Sequence, residues 1–342
     1  MANILILGAG SMGTAFSFPC SDNGHSVSIV GTHLENDFID KINSTKKHPA
    51  LDCEVEKNVK FLKFEKLKEE INKKIDLIVV AVVSKGIEWA SKEITKVLKS
   101  NIPILILTKG LSLNNNNYEV LAHKMGRLLK KNGIKETNIS AAGGPCLAKE
   151  LANKAHTSVV FANNDIKVVE QISKLVSTDY YHVSTSNDVI GVETCAAIKN
   201  IFSMAVGASQ GLCDSTKSKE KNYLNTAAAL IQESIYEMII FVEKLKGKKE
   251  TVIGLAGIGD LYVSADGGRN SKMGEYLGQG MTFQEAKKTK MPNITVEGAD
   301  LALEIGPKIK KDFDNKTLPL MISMIDTICE EKPLKINWKN FK

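Results

Sequence analysis

Ile4-Leu5-Ile6-Leu7-Gly8-Ala9-Gly10-Ser11-Met12-Gly13 begins three residues into the chain and decides how the rest is read. Four consecutive apolar residues make a short strand of the kind found in parallel sheets covered on both faces. The strand runs straight into a GxGxxG turn and then into the helical Thr14-Ala15-Phe16-Ser17. Each glycine has its own reason. Gly8 allows the tight turn, Gly10 lets the backbone approach a pyrophosphate, and Gly13 lets the helix pack close to the strand. The helix N-terminus adds unpaired N–H groups and partial positive charge, and Ser11 and Met12 stand in its first turn. A second apolar strand, Ser26 to Val30, follows. The expectation is a Rossmann-type α/β domain with a doubly wound sheet that binds a dinucleotide.

An acidic residue at the end of the second strand would grip the ribose 2′-hydroxyl of NAD, and an arginine would mark the 2′-phosphate of NADP. Here the strand ends Gly31-Thr32-His33, and Glu35 arrives late. The sequence leaves NAD and NADP open. A polar, lysine-rich stretch from Asp37 to Lys74 reads as irregular and helical connections. Further buried strands are expected over Asp76 to Val83, Ile104 to Leu107 and Asn138 to Ala142, with helices over Gly86 to Leu98 and Tyr118 to Lys131. Asn114 to Asn117 reads as a polar loop. Ligands of doubly wound sheets lie outside the carboxyl ends of the strands. That is where Lys109, in Thr108-Lys109-Gly110, and the turn Gly143-Gly144-Pro145-Cys146 stand.

The alternation of strand and helix stops near Asp188, and the pattern turns helical, most clearly over 222–245, 283–288, 299–304 and 318–330. The expected division is a dinucleotide-binding domain over 1–188 and an all-α substrate and catalytic domain over 189–342. The helix that opens the second half, Asn187 to Val206, is apolar almost all the way round, which belongs in an interior. Asn187 or Asp188 supplies its N-cap. Yet it carries Lys199, flanked on its face by Val192, Cys195, Ala196, Phe202, Ser203 and Val206. Lysine is rarely fully buried unless paired or used, and burial lowers its pKa toward the range that proton transfer requires. A lysine that merely snorkels to water is the plainer reading of the pattern alone. Gly257 to Ser271 also stands out. Its four glycines, two aspartates and the Arg269-Asn270 pair do not suit a packed helix, and the guanidinium fork suits phosphate.

Composition excludes several classes. At 342 residues the chain has room for two cores, and 43% hydrophobic with 25% charged residues is ordinary for a globular protein. The net charge of +6 is spread out, and its basic runs lack interleaved aromatics, so no nucleic-acid partner is expected. Six cysteines without metal-like spacing read as reduced residues of a cytoplasmic protein, and no metal is expected. No signal peptide precedes the first strand, and no apolar run approaches the ~20 residues of a membrane span.

Taken together, GAGSMG at 8–13, TKG at 108–110, GGPCLAKE at 143–150, VETCAAIKN at 192–200, GDL at 259–261, GGRN at 267–270 and VEG at 296–298 resemble the NAD(P)-dependent glycerol-3-phosphate dehydrogenases. The resemblance covers essentially the whole chain. It implies reduction of dihydroxyacetone phosphate to sn-glycerol 3-phosphate and the reverse, supplying glycerol phosphate for phospholipid synthesis. It makes Lys199 the catalytic acid/base with Asn200 beside it, and Lys109 a substrate contact near the nicotinamide. Gly144 and Cys146 become substrate contacts, Ala148 a cofactor contact, and Asp260 the group that orients the lysine or substrate. Ser264, Arg269 and Asn270 join the substrate set, Arg269 also reaching the cofactor. Ser11, Met12, Thr32 and Glu297 lie by the cofactor in this reading, and the assembly implied is a homodimer. The departures are Cys146 where the family has a hydroxyl residue, Leu147 for an aromatic, Val83 for proline, and Ser271 for a basic residue.

Two rivals differ in class. A sibling dehydrogenase of the same plan would act on another hydroxy acid. A nucleotide-sensing binding protein would keep the glycine turn but would have no need of Lys199, Asp260 and Arg269 together.

Overall fold

The computed structural model describes residues 1–98, 102–213 and 223–342. The start of the helix expected over 222–245 lies outside them. The chain forms two compact units, Met1–Lys109 with Val120–Val192, and Gly110–Glu119 with Glu193–Lys342.

The first unit opens β1 (Asn3–Leu7), α1 (Ser11–Asp22), β2 (Ser26–Val30) and α2 (Asn36–Thr45). A two-residue ladder, β3 (Lys47–His48) with β4 (Cys53–Glu54), precedes β5 (Val59–Leu62), α3 (Leu67–Ile71), β6 (Leu77–Val80), α4 (Ile87–Thr95) and β7 (Ile104–Ile106). The hairpin β8 (Leu111–Asn114) and β9 (Asn117–Val120) comes next in the chain and, through Glu119, belongs to the second unit. Then follow α5 (Leu121–Lys131), β10 (Ile139–Gly143), α6 (Ala148–Ala152), β11 (Thr157–Ala162), α7 (Ile166–Val176) and β12 (Tyr181–Ser186). Eight strands make one sheet in the order β12-β11-β10-β7-β6-β1-β2-β5. All pairs are parallel except β10 with β11. β1 is an interior strand, with Ile4 paired to Val27 on one side and to Leu77 on the other. Its Ile4 and Ile6 join Phe16, Ile29, Val79 and Phe161 in a buried cluster. β5 was not expected. Its four residues alternate buried and exposed on an edge, and Lys60 points outward, so it blends into the lysine-rich stretch around it.

The second unit holds α8 (Val189–Leu212) from Glu193 onward, α9 (Leu224–Lys244), α10 (Lys249–Val252), α11 (Asp260–Ala265), α12 (Arg269–Gly278), α13 (Phe283–Thr289), α14 (Glu297–Asp312) and α15 (Pro319–Cys329). The stretch expected as a polar loop is instead the turn of the β8–β9 hairpin. Asn115 and Asn116 both take positive φ, 48° and 61°, the conformation that a two-residue hairpin turn demands and asparagine tolerates. The following helix therefore starts at Leu121 rather than Tyr118, whose ring packs edge-on against Phe241 at 5.2 Å.

Asp188 caps α8, its Oδ1 accepting from Gly191 N at 2.9 Å. α8 is the one described helix long and apolar enough to cross a membrane, at 24 residues, but 94% of its most apolar window is buried within the protein. It is a core helix, and glycines let α12 lie directly on its backbone. A Cβ on Gly207 would stand 2.1 Å from Ser271 O, and one on Gly274 would stand 1.8 Å from Met204 O.

One buried acid ties α9 to α15. The Glu237 carboxylate accepts from Leu320 N at 2.5 Å and Met321 N at 2.8 Å, satisfying two first-turn donors of α15. Burial pushes its pKa up to about 8, against the pull of those N–H groups, and the charge of Glu233 adds to the rise. Between pH 4.5 and about 8 the folded protein thus keeps a proton that the unfolded chain releases, so stability falls as pH rises through that window. The expected result is a melting temperature that declines more steeply from pH 5 to 8 in the native protein than in Glu237→Gln. Parallel curves would contradict this.

Candidate active site

In the first unit the expected cofactor residues gather at the carboxyl ends of the strands. Gly8 N donates to Val30 O at 2.8 Å, which ties the glycine turn to β2. Gly8 has φ of +111°, and a Cβ there would meet Ala81 O at 2.7 Å. A Cβ on Gly13 would meet Gly8 O at 2.3 Å, so α1 touches the turn that launches it. Beside Gly10 nothing lies within 4 Å of a Cβ position, so the turn is open on that side. Ser11 and Met12 are half-buried in the first turn of α1, which contains no acid. An open glycine turn facing a twelve-residue helix N-terminus fits a pyrophosphate.

The neighbouring loops are tied to one another. Thr108 Oγ1 donates to Val82 O at 2.6 Å, and Lys109 Nζ donates to Gly144 O at 3.2 Å. These bonds join the ends of β6, β7 and β10. Lys109, Gly144, half-buried Cys146 and Ala148 at the start of α6 therefore belong to one edge. Thr32 stands at the end of β2, where its N–H donates to the Glu35 carboxylate at 2.7 Å. Glu35, which in the sequence arrives late for the acid that ends such a strand, folds back to this position.

In the second unit α8 and the 255–278 segment bring the remaining residues together. Lys199 is 6% exposed and Asp260 2%. Lys199 Nζ donates to Asp260 Oδ1 at 2.9 Å and to Ser264 Oγ. Asp260 and Ser264 lie four residues apart on α11, one face of one turn, so a single helix presents both to the lysine. The plainer reading of Lys199 fails here. Its ammonium does not reach out to water but is held inside by a carboxylate and a hydroxyl.

Asn200 extends the cluster. Asn270 Nδ2 donates to Asn200 Oδ1 at 3.0 Å, and Asn270 Oδ1 accepts from Gly298 N at 2.9 Å. The Asn270 amide thus bridges α8 to the start of α14. Arg269 pairs with Glu297, both at the first positions of their helices and both substantially exposed, at 57% and 42%. The glycine-rich segment is more helical than its composition suggested. It comprises a π-helical turn over Leu255–Gly259, then α11, with only 266–268 between α11 and α12. Its glycines serve contact, as at Gly257, where a Cβ would lie 1.9 Å from Val252 O. Among the described residues no group of three or more His, Cys, Asp or Glu could hold a metal ion.

Chemically, the second cluster offers a buried cation that can donate a proton, an acid and a hydroxyl that fix it, and an exposed guanidinium at a helix N-terminus. Comparison with known proteins places the whole chain in one family. Residues 3–169 match the family model of the NAD-dependent glycerol-3-phosphate dehydrogenase N-terminus, and residues 188–338 match that of the C-terminus. The NADP(+)-dependent glycerol-3-phosphate dehydrogenase of Archaeoglobus fulgidus is 32% identical over 314 residues, covering 90% of this chain and 91% of that protein. The glycerol-3-phosphate dehydrogenase [NAD(P)+] of Francisella tularensis subsp. novicida is 32% identical over 325 residues, covering 94% and 91%. Among solved structures, the glycerol-3-phosphate dehydrogenase of Coxiella burnetii superimposes with a TM-score of 0.80 at 25% identity, covering 97% of this chain and 96% of that one. The Plasmodium falciparum structure shares the fold with a TM-score of 0.84 at 21% identity, covering 99% and 95%.

Proposed function

The chain belongs to the NAD-dependent glycerol-3-phosphate dehydrogenase family and is an NAD(P)-dependent oxidoreductase, and from that premise we propose that Lys199 is the acid/base with which it reduces dihydroxyacetone phosphate to sn-glycerol 3-phosphate and runs the reverse. The observation that carries the residue assignment is the buried Lys199–Asp260 pair. Gly8, Gly10, Ser11, Met12 and Gly13 would hold the pyrophosphate of the dinucleotide, with Thr32, Ala148 and Glu297 among its further contacts. When bound, the reduced nicotinamide supplies the hydride.

The protein's own residues supply the rest. As the substrate carbonyl carbon is reduced, its oxygen takes on negative charge and needs a cation and a proton. Lys199 Nζ provides both. Asp260 keeps the ammonium charged against burial and, with Ser264, fixes where it points. In the oxidation direction the same nitrogen, deprotonated, takes the hydroxyl proton. Lys109, Gly144, Cys146, Asn200 and Asn270 complete the substrate contacts in this reading. In this reading residues 1–188 carry most of the dinucleotide contacts and 189–342 carry the acid/base. Supply of glycerol phosphate to phospholipid synthesis, a cytoplasmic location and a homodimer belong to the same proposal, on the strength of the family resemblance.

Arg269 is the phosphate ligand we assign, because its fork matches phosphate and it stands at the first position of α12. Binding substrate would draw the guanidinium from Glu297 to the phosphate. Arg269→Ala should raise KM for dihydroxyacetone phosphate about 10- to 100-fold, the worth of a charged hydrogen bond, while dinucleotide oxidation remains measurable at saturating substrate. The functional test is side-by-side oxidation of NADH and NADPH with dihydroxyacetone phosphate. Turnover with this substrate supports the reading, and turnover only with another keto compound overturns it.

A further inference from the structure

The loop after β2 carries a carboxylate whose placement has no role in the chemistry above. Glu35 folds back along the loop, and its Oε2 accepts from Thr32 N at 2.7 Å and from Ala9 N at 3.3 Å. Ala9 is the second residue of the glycine turn, so the acid reaches the turn that cradles the dinucleotide. The other side of the same peptide is also held. His48 Nε2 donates to Ala9 O at 3.4 Å, while its Nδ1 accepts from Ala50 N and Leu51 N, each at 3.2 Å. Those two bonds to Nδ1 fix the ring as the Nε2–H tautomer. Glu35 therefore sits on a turn gripped from both faces, and its negative charge has a fixed position.

The surroundings make the region acidic. Gly31 N donates to Leu62 O at 2.9 Å, which brings the residues after β5 beside this loop. There Asn36 Nδ2 donates to Glu65 Oε1 at 3.1 Å, adding a second carboxylate. The nearby lysines are engaged with acids of their own, Lys63 with Asp40 at 2.7 Å and Lys66 with Glu69 at 2.9 Å. The chain's two arginines are Arg127 and Arg269, on α5 and α12, and neither belongs to this loop. His33 is the loop's one basic side chain, and its ring lies against Trp89 at 5.5 Å and Phe64 at 6.4 Å.

We propose that Glu35 is the specificity-determining residue at the adenosine ribose, selecting a 2′-hydroxyl and rejecting a 2′-phosphate, so that this chain prefers NAD(H) to NADP(H). A carboxylate at the end of the second strand accepts a hydrogen bond from a ribose hydroxyl and repels a phosphate dianion. Glu35 enters later in sequence than such an acid usually does, and its longer side chain reaches back to the position. The inference rests on the reading of the glycine turn as the dinucleotide site.

Equilibrium binding tests it without turnover. Isothermal titration of the whole chain with NADH and NADPH should show NADH at least about 10-fold tighter, or about 1.4 kcal/mol. In Glu35→Gln the amide oxygen can still accept from Thr32 and Ala9 while the charge is gone. That variant should bind NADPH more tightly and narrow the ratio several-fold. His33→Ala should leave the ratio as it is. Equal or tighter NADPH binding by the native chain overturns the proposal. So does an unchanged ratio in Glu35→Gln, and so does a His33→Ala variant that alone loses NADPH. Failure of both dinucleotides to bind the native chain would instead overturn the reading of the glycine turn.

Discussion

Lys199→Met should fold, bind dinucleotide nearly as the native chain does, and lose at least ~10³-fold in kcat, within the range that a positioned acid/base contributes. Methionine keeps most of the stem's volume in a position only 6% exposed, so packing is preserved while the cation is removed. The difficulty is Asp260. Its side chain is 3% exposed, and without the ammonium at 2.9 Å it becomes a buried charge lacking its counter-ion. Removing one partner of a buried pair typically costs about 3–5 kcal/mol. Lys199→Met alone is therefore expected to melt at a lower temperature. The double variant Lys199→Met/Asp260→Asn separates the two effects. It should recover much of the melting temperature and none of the turnover. Recovery of turnover along with stability would show that the lysine serves the fold rather than the proton.

The second large effect is on folding. Gly274→Ala should destabilise the second unit by about 3 kcal/mol or more, the upper range for overpacking a rigid contact. The new Cβ would stand 1.8 Å from Met204 O, and backbone cannot yield as a side chain's end can. α12 would have to move off α8. Gly207, Gly211 and Gly278 line the same crossing, each with a Cβ position 2.1 to 2.3 Å from a backbone oxygen of the facing helix. Separating the helices would also strain the Asn270–Asn200 bond at 3.0 Å, so substrate affinity should fall in whatever protein remains folded. Gly126→Ala on α5 is the control. Its Cβ would meet Ile139 at an ordinary 3.5 Å, and alanine in a helix is favoured over glycine by up to about 1 kcal/mol. A melting temperature lowered equally by both substitutions would count against the close crossing.

The contrast between those glycines explains much of what the sequence disclosed and what it withheld. Gly8 to Gly13 was legible because a strand of four apolar residues precedes it and a helix follows, so spacing and context agree. Gly257, Gly274 and Gly278 look the same as letters. Their reason is contact with Val252, Met204 and Ala208, which no local pattern reveals. The segment around Arg269 was therefore read as more irregular than it is, although the chemistry inferred from its Asp, Arg and Asn was a reading of the side chains themselves. β5 and the β8–β9 hairpin were missed for a related reason. Each is a short strand with polar positions, defined by its partner strand more than by its own residues.

Lys199 shows the limit from the other side. Periodicity placed it on an apolar face, and that alone favoured a snorkelling stem. What changes the reading is Asp260 and Ser264, sixty-odd residues away in sequence, meeting Nζ on one turn of α11. Glu35 was likewise visible, but only its fold-back onto Ala9 N gives it a place at the glycine turn. Local pattern finds the element, and pairing across the chain finds the partners of the side chain.

The most direct test is a single turnover, with enzyme in excess over NADH and dihydroxyacetone phosphate saturating, following loss of the reduced nicotinamide's absorbance. The native chain should consume the NADH in one phase and yield an equal amount of sn-glycerol 3-phosphate. Lys199→Met/Asp260→Asn, shown by titration to be loaded with NADH, should leave it unconsumed on that timescale. Equal single-turnover rates in the two proteins would contradict the assignment of Lys199 as the proton donor.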